Sequence, residues 1–190
     1  MVSGFDKASL RAGRLSERDA LSPDDRAEKS RAICAAALAG LDVSPGMVIS
    51  GYYPIRSEAD IMPLLEMFHA QGAVVALPAV IDRETIVFRQ HDPALDLIKT
   101  GFGTKGPPTD QPLIEPDLIL MPLSAFDHQG NRIGYGAGHY DRAIARLRQK
   151  ELNPRLIGIA FACQEVAEVP AGPYDIPMNG VLTENGLFWF

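Results

Sequence analysis

From Met47 onward the chain alternates short, wholly apolar runs with stretches whose apolar positions recur at helical spacing. Met47 to Tyr53 reads as a buried strand. Ile61, Leu64, Leu65 and Phe68 form one face of a helix, and Val74 to Leu77 a second strand stopped by Pro78. Thr85 to Phe88 adds a short third strand. Leu118 to Met121 is a strongly apolar run ending at Pro122, and Ala143 to Leu147 belong to a helix after it. Leu156 to Ala160 supplies another buried strand and Gly180 to Thr183 the last. Strands apolar on both faces, alternating with helices, predict a mainly parallel α/β sheet covered on both sides.

The first forty residues read as helical instead. Ser22, Pro23, Asp24 and Asp25 are a helix start: a capping hydroxyl, a proline at the first helical position, then acids at the positive end of the dipole. Ile33, Ala36, Ala37 and Gly40 give this helix one small apolar face. Before it, Phe5 to Leu21 predicts a separate helix on which Lys7, Arg11, Arg14 and Arg18 share a broad face. That face is either a solvated surface or one turned toward a ligand. His91 to Pro116 breaks the rhythm with Pro93, Gly101, Gly103 and Gly106, then Pro107, Pro108, Pro112 and Pro116. A loop that long is functional or mobile, and it is too short to divide the chain. One domain over 1–190 is expected, with a helical segment about 5–40 and an α/β core about 46–190.

With 190 residues, 46% hydrophobic and 22% charged, the chain falls among globular proteins and needs no metal or disulfide to fold. Its formal charge of −6 argues against nucleic acid held by a general positive field, but leaves room for a local basic pocket. Cys34 and Cys163 stand far apart, which fits a reducing cytosol and a cytoplasmic chain, with Cys34 a small core residue. The first residues lack the apolar core of a signal peptide. No apolar run approaches the ~20 residues that cross a bilayer, so no membrane association is expected.

Chemistry concentrates between Asp117 and Arg142. A buried strand runs into Gly134, Tyr135, Gly136, Ala137 and Gly138, and then into a helix at His139 and Tyr140. In open α/β sheets ligands sit beyond the carboxyl ends of strands. Glycines at alternate positions let backbone N–H groups wrap an anion, and the helix N-terminus adds partial positive charge. Arg132 and Arg142 flank the loop. The spacing matches neither the P-loop nor the dinucleotide fingerprint, so the loop is either a phosphate or nucleotide site or a tight strand-to-helix turn. Asp141 is a helix-start acid or a Mg²⁺ ligand. Glu58, soon after a strand end, is likewise a helix-start acid or a carboxylate lining the same crevice. His69, His91 and His128 are expected at the surface and only His139 draws a functional reading; no zinc spacing or nucleophile signature is present.

The segment DLILMPLSAFDHQGNRIGYGAGHYDR closely resembles the signature of the 5-formyltetrahydrofolate cyclo-ligase (5,10-methenyltetrahydrofolate synthetase) family. The resemblance extends over nearly the whole chain. It takes in Lys7-Ala-Ser-Leu-Arg11, Tyr53 and Glu58, Leu77-Pro78, the run IGIAFACQEVAEVP, Asp175 and Leu182-Thr183-Glu184. It implies a Rossmann-like three-layer α/β/α sandwich, similar to sugar-phosphate isomerase folds. It also implies an ATP-dependent ligase that cyclises 5-formyltetrahydrofolate to 5,10-methenyltetrahydrofolate through a phosphorylated formyl group, with Mg²⁺ as cofactor. A monomer or small homo-oligomer is expected, and the sequence does not choose between them.

Carried onto this sequence, the family's pattern assigns Lys7, Arg11, Arg132 and the loop Gly134, Tyr135, Gly136, Ala137, Gly138, His139 and Tyr140 to the nucleotide. Arg132 and Tyr140 are the catalytic pair it implies, Tyr53, Glu58 and His139 the folate contacts, and Asp141 and Asp175 the metal ligands. Three positions depart from the pattern. His139 stands where members carry Tyr or Phe, Gly103-Thr-Lys-Gly106-Pro107 lacks a glutamate, and Tyr174-Asp175 lacks a histidine. A same-fold paralogue with another small substrate, and a non-catalytic folate- or nucleotide-binding protein, are the competing readings.

Overall fold

The structure, a computed structural model, describes residues 6–100 and 103–190. Phe5, the expected start of the first helix, and Gly101 of the central stretch lie outside the described residues. Helix α1 (Lys7–Asp19) starts where Asp6 accepts the Ser9 N–H at 2.8 Å. Helix α2 (Pro23–Gly40) starts as its sequence dictates, with Ser22 Oγ accepting the Asp25 N–H at 3.1 Å. Its buried stripe is Ser30, Ile33, Cys34 and Ala37.

The remaining elements are β1 (Val48–Ser50), α3 (Met62–Ala70), β2 (Val74–Val80), β3 (Ile86–Gln90), β4 (Ile98–Lys99), β5 (Lys105–Gly106), β6 (Leu118–Pro122), β7 (Ala125–Phe126), β8 (Arg132–Ile133), α4 (His139–Gln149), β9 (Arg155–Ile159), β10 (Gly180–Thr183) and β11 (Gly186–Trp189). Seven strands make one sheet in the order β11-β10-β9-β6-β1-β2-β3, parallel except for the two edges. The expected three layers are present. Leu118 and Leu120 of β6 face the core shared with Ile33, Leu65 and Phe68 of α2 and α3, while Ile119 and Met121 face Ala143, Ile144 and Leu147 of α4. That alternation is the pleat of a strand buried on both sides.

The connections explain which helix lies where. The chain steps one way from β1 through α3 to β2, and the opposite way from β6 through α4 to β9. Right-handed crossovers in opposite directions place their helices on opposite faces. Helix α2 fills the first face over β10 and β11.

Several expectations need correction. Pro78 does not stop the second strand, which continues to Val80. Val75 accepts from the His91 N–H, so in this antiparallel pair the odd residues of β2 exchange hydrogen bonds with β3, and Pro78, opposite Phe88, is not asked for a donor. On its other side the pairing with β1 has ended at Ala76. Proline therefore ends the parallel ladder, not the strand. The first strand is shorter than Met47–Tyr53. The last strand is not β10: β11 folds back on it through Asn185 and Gly186, the latter at φ +129°. The central stretch contains the β4–β5 hairpin, which packs on β2. His91, expected at the surface, is 6% exposed, and burial pulls its imidazole below the usual histidine range.

Gly180 shows how closely the β10–β11 edge is built. A Cβ there would stand 2.7 Å from the Phe188 carbonyl oxygen and 3.2 Å from the Trp189 ring. Backbone cannot yield as a side-chain tip can. Gly180→Val should lower unfolding stability by about 2–3 kcal/mol in urea titration, and an unchanged midpoint would show that the edge reshapes freely.

Candidate active site

Strand order reverses between β1 and β6, and both run into loops at their carboxyl ends. This is the crevice where an open α/β sheet binds ligands. A cavity of about 530 Å³ opens there. Tyr52, Tyr53 and Glu58 enter it from the segment after β1, and Arg132 through Asp141 from the segment after β6. Pro78, Val80 and Ile86 give it an apolar wall, while Thr104 and Lys105 reach it from the β4–β5 hairpin.

The glycine loop has the conformation an anion cradle needs at two positions. Gly136 and Gly138 lie at φ +99° and +66°, a region L side chains avoid. Gly138 is the residue before α4 and offers no side-chain cap, so the first N–H groups of α4 have no capping side chain. Arg142 holds the loop from behind, donating to Ala137 O at 2.5 Å and to Glu84 O at 2.8 Å. It anchors the loop to backbone.

Arg132 is the buried cation of this wall, with a side chain 6% exposed. Its Nη2 donates to Asp141 Oδ1 at 2.7 Å and its Nη1 to the Ile176 carbonyl. Asp141 is thus both in the first turn of α4 and the partner of Arg132. Lys7 pairs with Asp175 Oδ2, which also accepts the Gly172 N–H. Burial raises the Asp175 carboxyl, but the bonds from Lys7 and Gly172 outweigh it and leave it below the usual range. Arg11 donates from Nε to Gly134 O at 2.7 Å, and a Cβ on Gly136 would stand 3.7 Å from its guanidinium. The cation face of α1 is therefore turned inward onto the loop, not into solvent.

Among the described residues, no group of three or more His, Cys, Asp or Glu side chains could hold a metal by itself. The bonds just described fall on Oδ1 of Asp141 and Oδ2 of Asp175, leaving one oxygen of each, and the two side chains are 29% and 31% exposed. Two hard oxygen donors beside a phosphate cradle fit Mg²⁺, which takes its other ligands from phosphate and water.

Glu58 is not a helix-start acid, since α3 begins at Met62. Its carboxylate is 9% exposed, accepting the Tyr135 hydroxyl at Oε1 (2.6 Å) and the Ile55 N–H at Oε2 (2.8 Å). Burial pushes its carboxyl up, with those two donors, Arg18 and Arg56 pulling the other way and losing. Tyr53 meets Lys105, whose Nζ lies 5.3 Å from the ring centre. The Tyr140 hydroxyl is buried without a hydrogen-bond partner among the described residues, and burial drives its phenol far up. His139 lines the cavity while its Nε2 lies 2.9 Å from the Arg83 carbonyl, which ties the start of α4 to the β2–β3 turn.

The cavity gathers Tyr53, Glu58, Arg132 and most of the loop from Gly134 to Asp141 that the sequence singles out, together with residues it did not. Thr104, Lys105 and Arg56 line it without having been singled out. Arg56 sits at φ +54°, a left-handed turn residue no local pattern announces. Arg18 was read only as one of four cations, yet it is 1% exposed and donates to Tyr135 and Ser57.

Residues 4–184 match the 5-formyltetrahydrofolate cyclo-ligase family. The chain is 30% identical over 191 residues to 5-formyltetrahydrofolate cyclo-ligase of Mycolicibacterium smegmatis, an alignment covering 96% of this chain and 95% of that one. With the enzyme of that name from Escherichia coli K12 the identity is 28% over 172 residues, covering 87% and 93%. Among solved structures, a 5,10-methenyltetrahydrofolate synthetase from Aquifex aeolicus is similar with a TM-score of 0.81 at 28% identity, covering 96% of this chain and 92% of that one. Its counterpart from Mycoplasma pneumoniae gives 0.77 at 25% identity, covering 95% and 99%.

Proposed function

The chain belongs to the 5-formyltetrahydrofolate cyclo-ligase family, and on that premise we propose that it cyclises 5-formyltetrahydrofolate to 5,10-methenyltetrahydrofolate with ATP as co-substrate and Mg²⁺ as cofactor, in the cytoplasm. The observation that carries this reading is one cavity holding two unlike walls. One wall offers glycine-loop N–H groups, Arg132 and Asp141; the other offers Glu58 and Tyr53 with the apolar Pro78, Val80 and Ile86. The first suits a polyphosphate, the second a flat heterocycle with N–H donors.

A formamide oxygen is a poor leaving group. In the first step it takes the γ-phosphoryl group of ATP, and ADP departs. The neighbouring folate nitrogen then attacks the formyl carbon, loses its proton, and the carbon–oxygen bond breaks to release phosphate. Little acid–base machinery is required; the work is positioning and charge neutralisation. Lys7, Arg11 and Arg132 neutralise phosphate charge, and the N–H groups from Gly134 to Tyr140 cradle it. Glu58 accepts from the pterin, with Tyr53 and His139 against the folate. The Tyr140 hydroxyl, buried with its proton uncommitted, supplies a donor to the reacting groups. Asp141 and Asp175 would hold Mg²⁺, which supplies charge neutralisation at the phosphates.

The decisive measurement mixes purified protein with 5-formyltetrahydrofolate, Mg²⁺ and ATP and follows the methenyl chromophore, with an ATP-free control. An ATP-dependent rise is expected. Folded protein that binds ATP and gives no rise would move the assignment to another small substrate.

A further inference from the structure

Five side chains form one hydrogen-bonded line that reaches the cavity at Tyr135 and Glu58. Arg18 is its centre, donating from Nε to Ser57 Oγ at 2.9 Å and from Nη1 to the Tyr135 oxygen at 2.7 Å. Ser57 donates onward to Asp19 Oδ1, and Tyr135 to Glu58 Oε1 at 2.6 Å. The remaining nitrogen, Nη2, is buried with no hydrogen-bond partner among the described residues. The guanidinium therefore stands one hydroxyl away from each of two carboxylates.

A guanidinium has only donors, so both hydroxyl oxygens must accept from it. Each hydroxyl keeps one proton, whose direction is then fixed: Ser57 toward Asp19, Tyr135 toward Glu58. The other oxygen of Glu58 meets the Ile55 N–H. Both carboxylate oxygens face donors, the pattern that suits an ionised acceptor. The titratable and charged groups facing Glu58 are Arg18 from α1, Tyr135 from the glycine loop, Tyr140 from α4, Tyr52 after β1 and Arg56 on its own loop. The three tyrosines are neutral, burial holding each phenol well above its usual range. Arg18 and Arg56 are the cations among these groups, and only Arg18 has a bonded route to the carboxylate.

We propose that Arg18 is a positioning residue: through the Tyr135 hydroxyl it fixes Glu58 as an aimed hydrogen-bond acceptor for the N–H donors of a substrate heterocycle. The identity of that heterocycle rests on the folate reading; the relay itself does not. Without Arg18 the Tyr135 hydroxyl is free to turn, and the positive charge that offsets burial of Glu58 is gone.

The test titrates Glu58 directly. The full chain carries ¹³C in its glutamate carboxyl groups, the Glu58 signal is assigned by its loss in Glu58→Gln, and wild type is compared with Arg18→Gln, Arg18→Lys and Tyr135→Phe. The Glu58 midpoint should rise by about one pH unit in Arg18→Gln and in Tyr135→Phe, with Arg18→Lys between them and wild type. In parallel, the loss of activity in Arg18→Gln should fall mainly on the KM for 5-formyltetrahydrofolate and grow as pH is lowered. Midpoints unchanged in both Arg18→Gln and Tyr135→Phe overturn the relay. If Arg18→Gln does not fold, Tyr135→Phe, which keeps the ring and removes one oxygen, decides alone. A wild type that does not turn over the folate sinks the folate reading, and the titration still decides the relay.

Discussion

Arg132→Met should lower turnover by about a thousandfold while the protein stays folded. Arg132 divides its guanidinium between Asp141 and the Ile176 carbonyl, in a wall that also carries the glycine loop. Phosphoryl transfer spreads charge over the moving group, and a preorganised buried cation is worth several kcal/mol there. Methionine preserves much of the volume and removes the charge. The structural cost is about 2 kcal/mol, below that of a fully buried pair because Asp141 reaches solvent. Most domains of this size can lose that and remain folded at 20 °C. Arg132→Lys should recover little, since one ammonium cannot reproduce a fork with two divergent donors. Single-turnover release of ADP, with a thermal melt beside it, checks this. A variant releasing ADP at the wild-type rate would remove Arg132 from the phosphate site.

Glu58→Gln should raise the KM for 5-formyltetrahydrofolate ten- to a hundredfold, with a far smaller change in the KM for ATP. The range corresponds to the about 1.5–3 kcal/mol of a charge-assisted hydrogen bond. The pH dependence has a definite sign. Glu58 must be ionised to accept, and its carboxyl titrates above the usual glutamate range because it is buried. The wild-type KM should therefore climb as pH falls through that raised value, at a pH where an exposed glutamate would still be charged; the Gln variant should be flat there. Stability runs the opposite way. A carboxyl that binds its proton more readily folded than unfolded costs stability as pH rises through the ordinary range, and the full cost is present above the folded value. Glutamine removes that cost but presents an amide donor where Tyr135 and Ile55 both donate, losing one bond. The two effects oppose, so the melting temperature should move by less than about 4 °C. Steady-state kinetics across pH decide the matter, and an unchanged folate KM would detach Glu58 from the substrate.

The sheet was legible because its central strands are buried on both faces and so lack polar positions; Leu118 to Met121 is unmistakable. The α2 start was legible because capping is local chemistry. What escaped depends on partners remote in the chain. Whether Pro78 breaks a strand depends on which neighbour asks it for a donor, and that is set by register with Phe88. The inward turn of the α1 cations depends on Gly134, Cys163 and Asp175, all more than 120 positions away. His91 looked like a loop histidine but is buried, and its N–H extends the ladder to Val75, a partner 16 positions back. One signal was present and passed over: Asn185-Gly186 ahead of an apolar run marks a hairpin, and it announces β11. The glycine loop and Glu58 drew attention by their position after strand ends; Arg18 follows no strand end, and its bond to Ser57, 39 positions away, needed the fold.

The inward cations of α1 also bear on the order in which the molecule can assemble. Lys7 meets Asp175 across 168 positions, Arg14 meets Cys163 across 149, and Arg11 meets Gly134 across 123. During synthesis α1 leaves the ribosome before any of these partners has been made. At ~5–20 residues per second it waits some seconds, its cationic face open to any passing anion. The half-sheet of β1, β2 and β3 has its own short-range pairings and can form meanwhile, whereas the pairing of Lys7 must await Asp175, beyond β9.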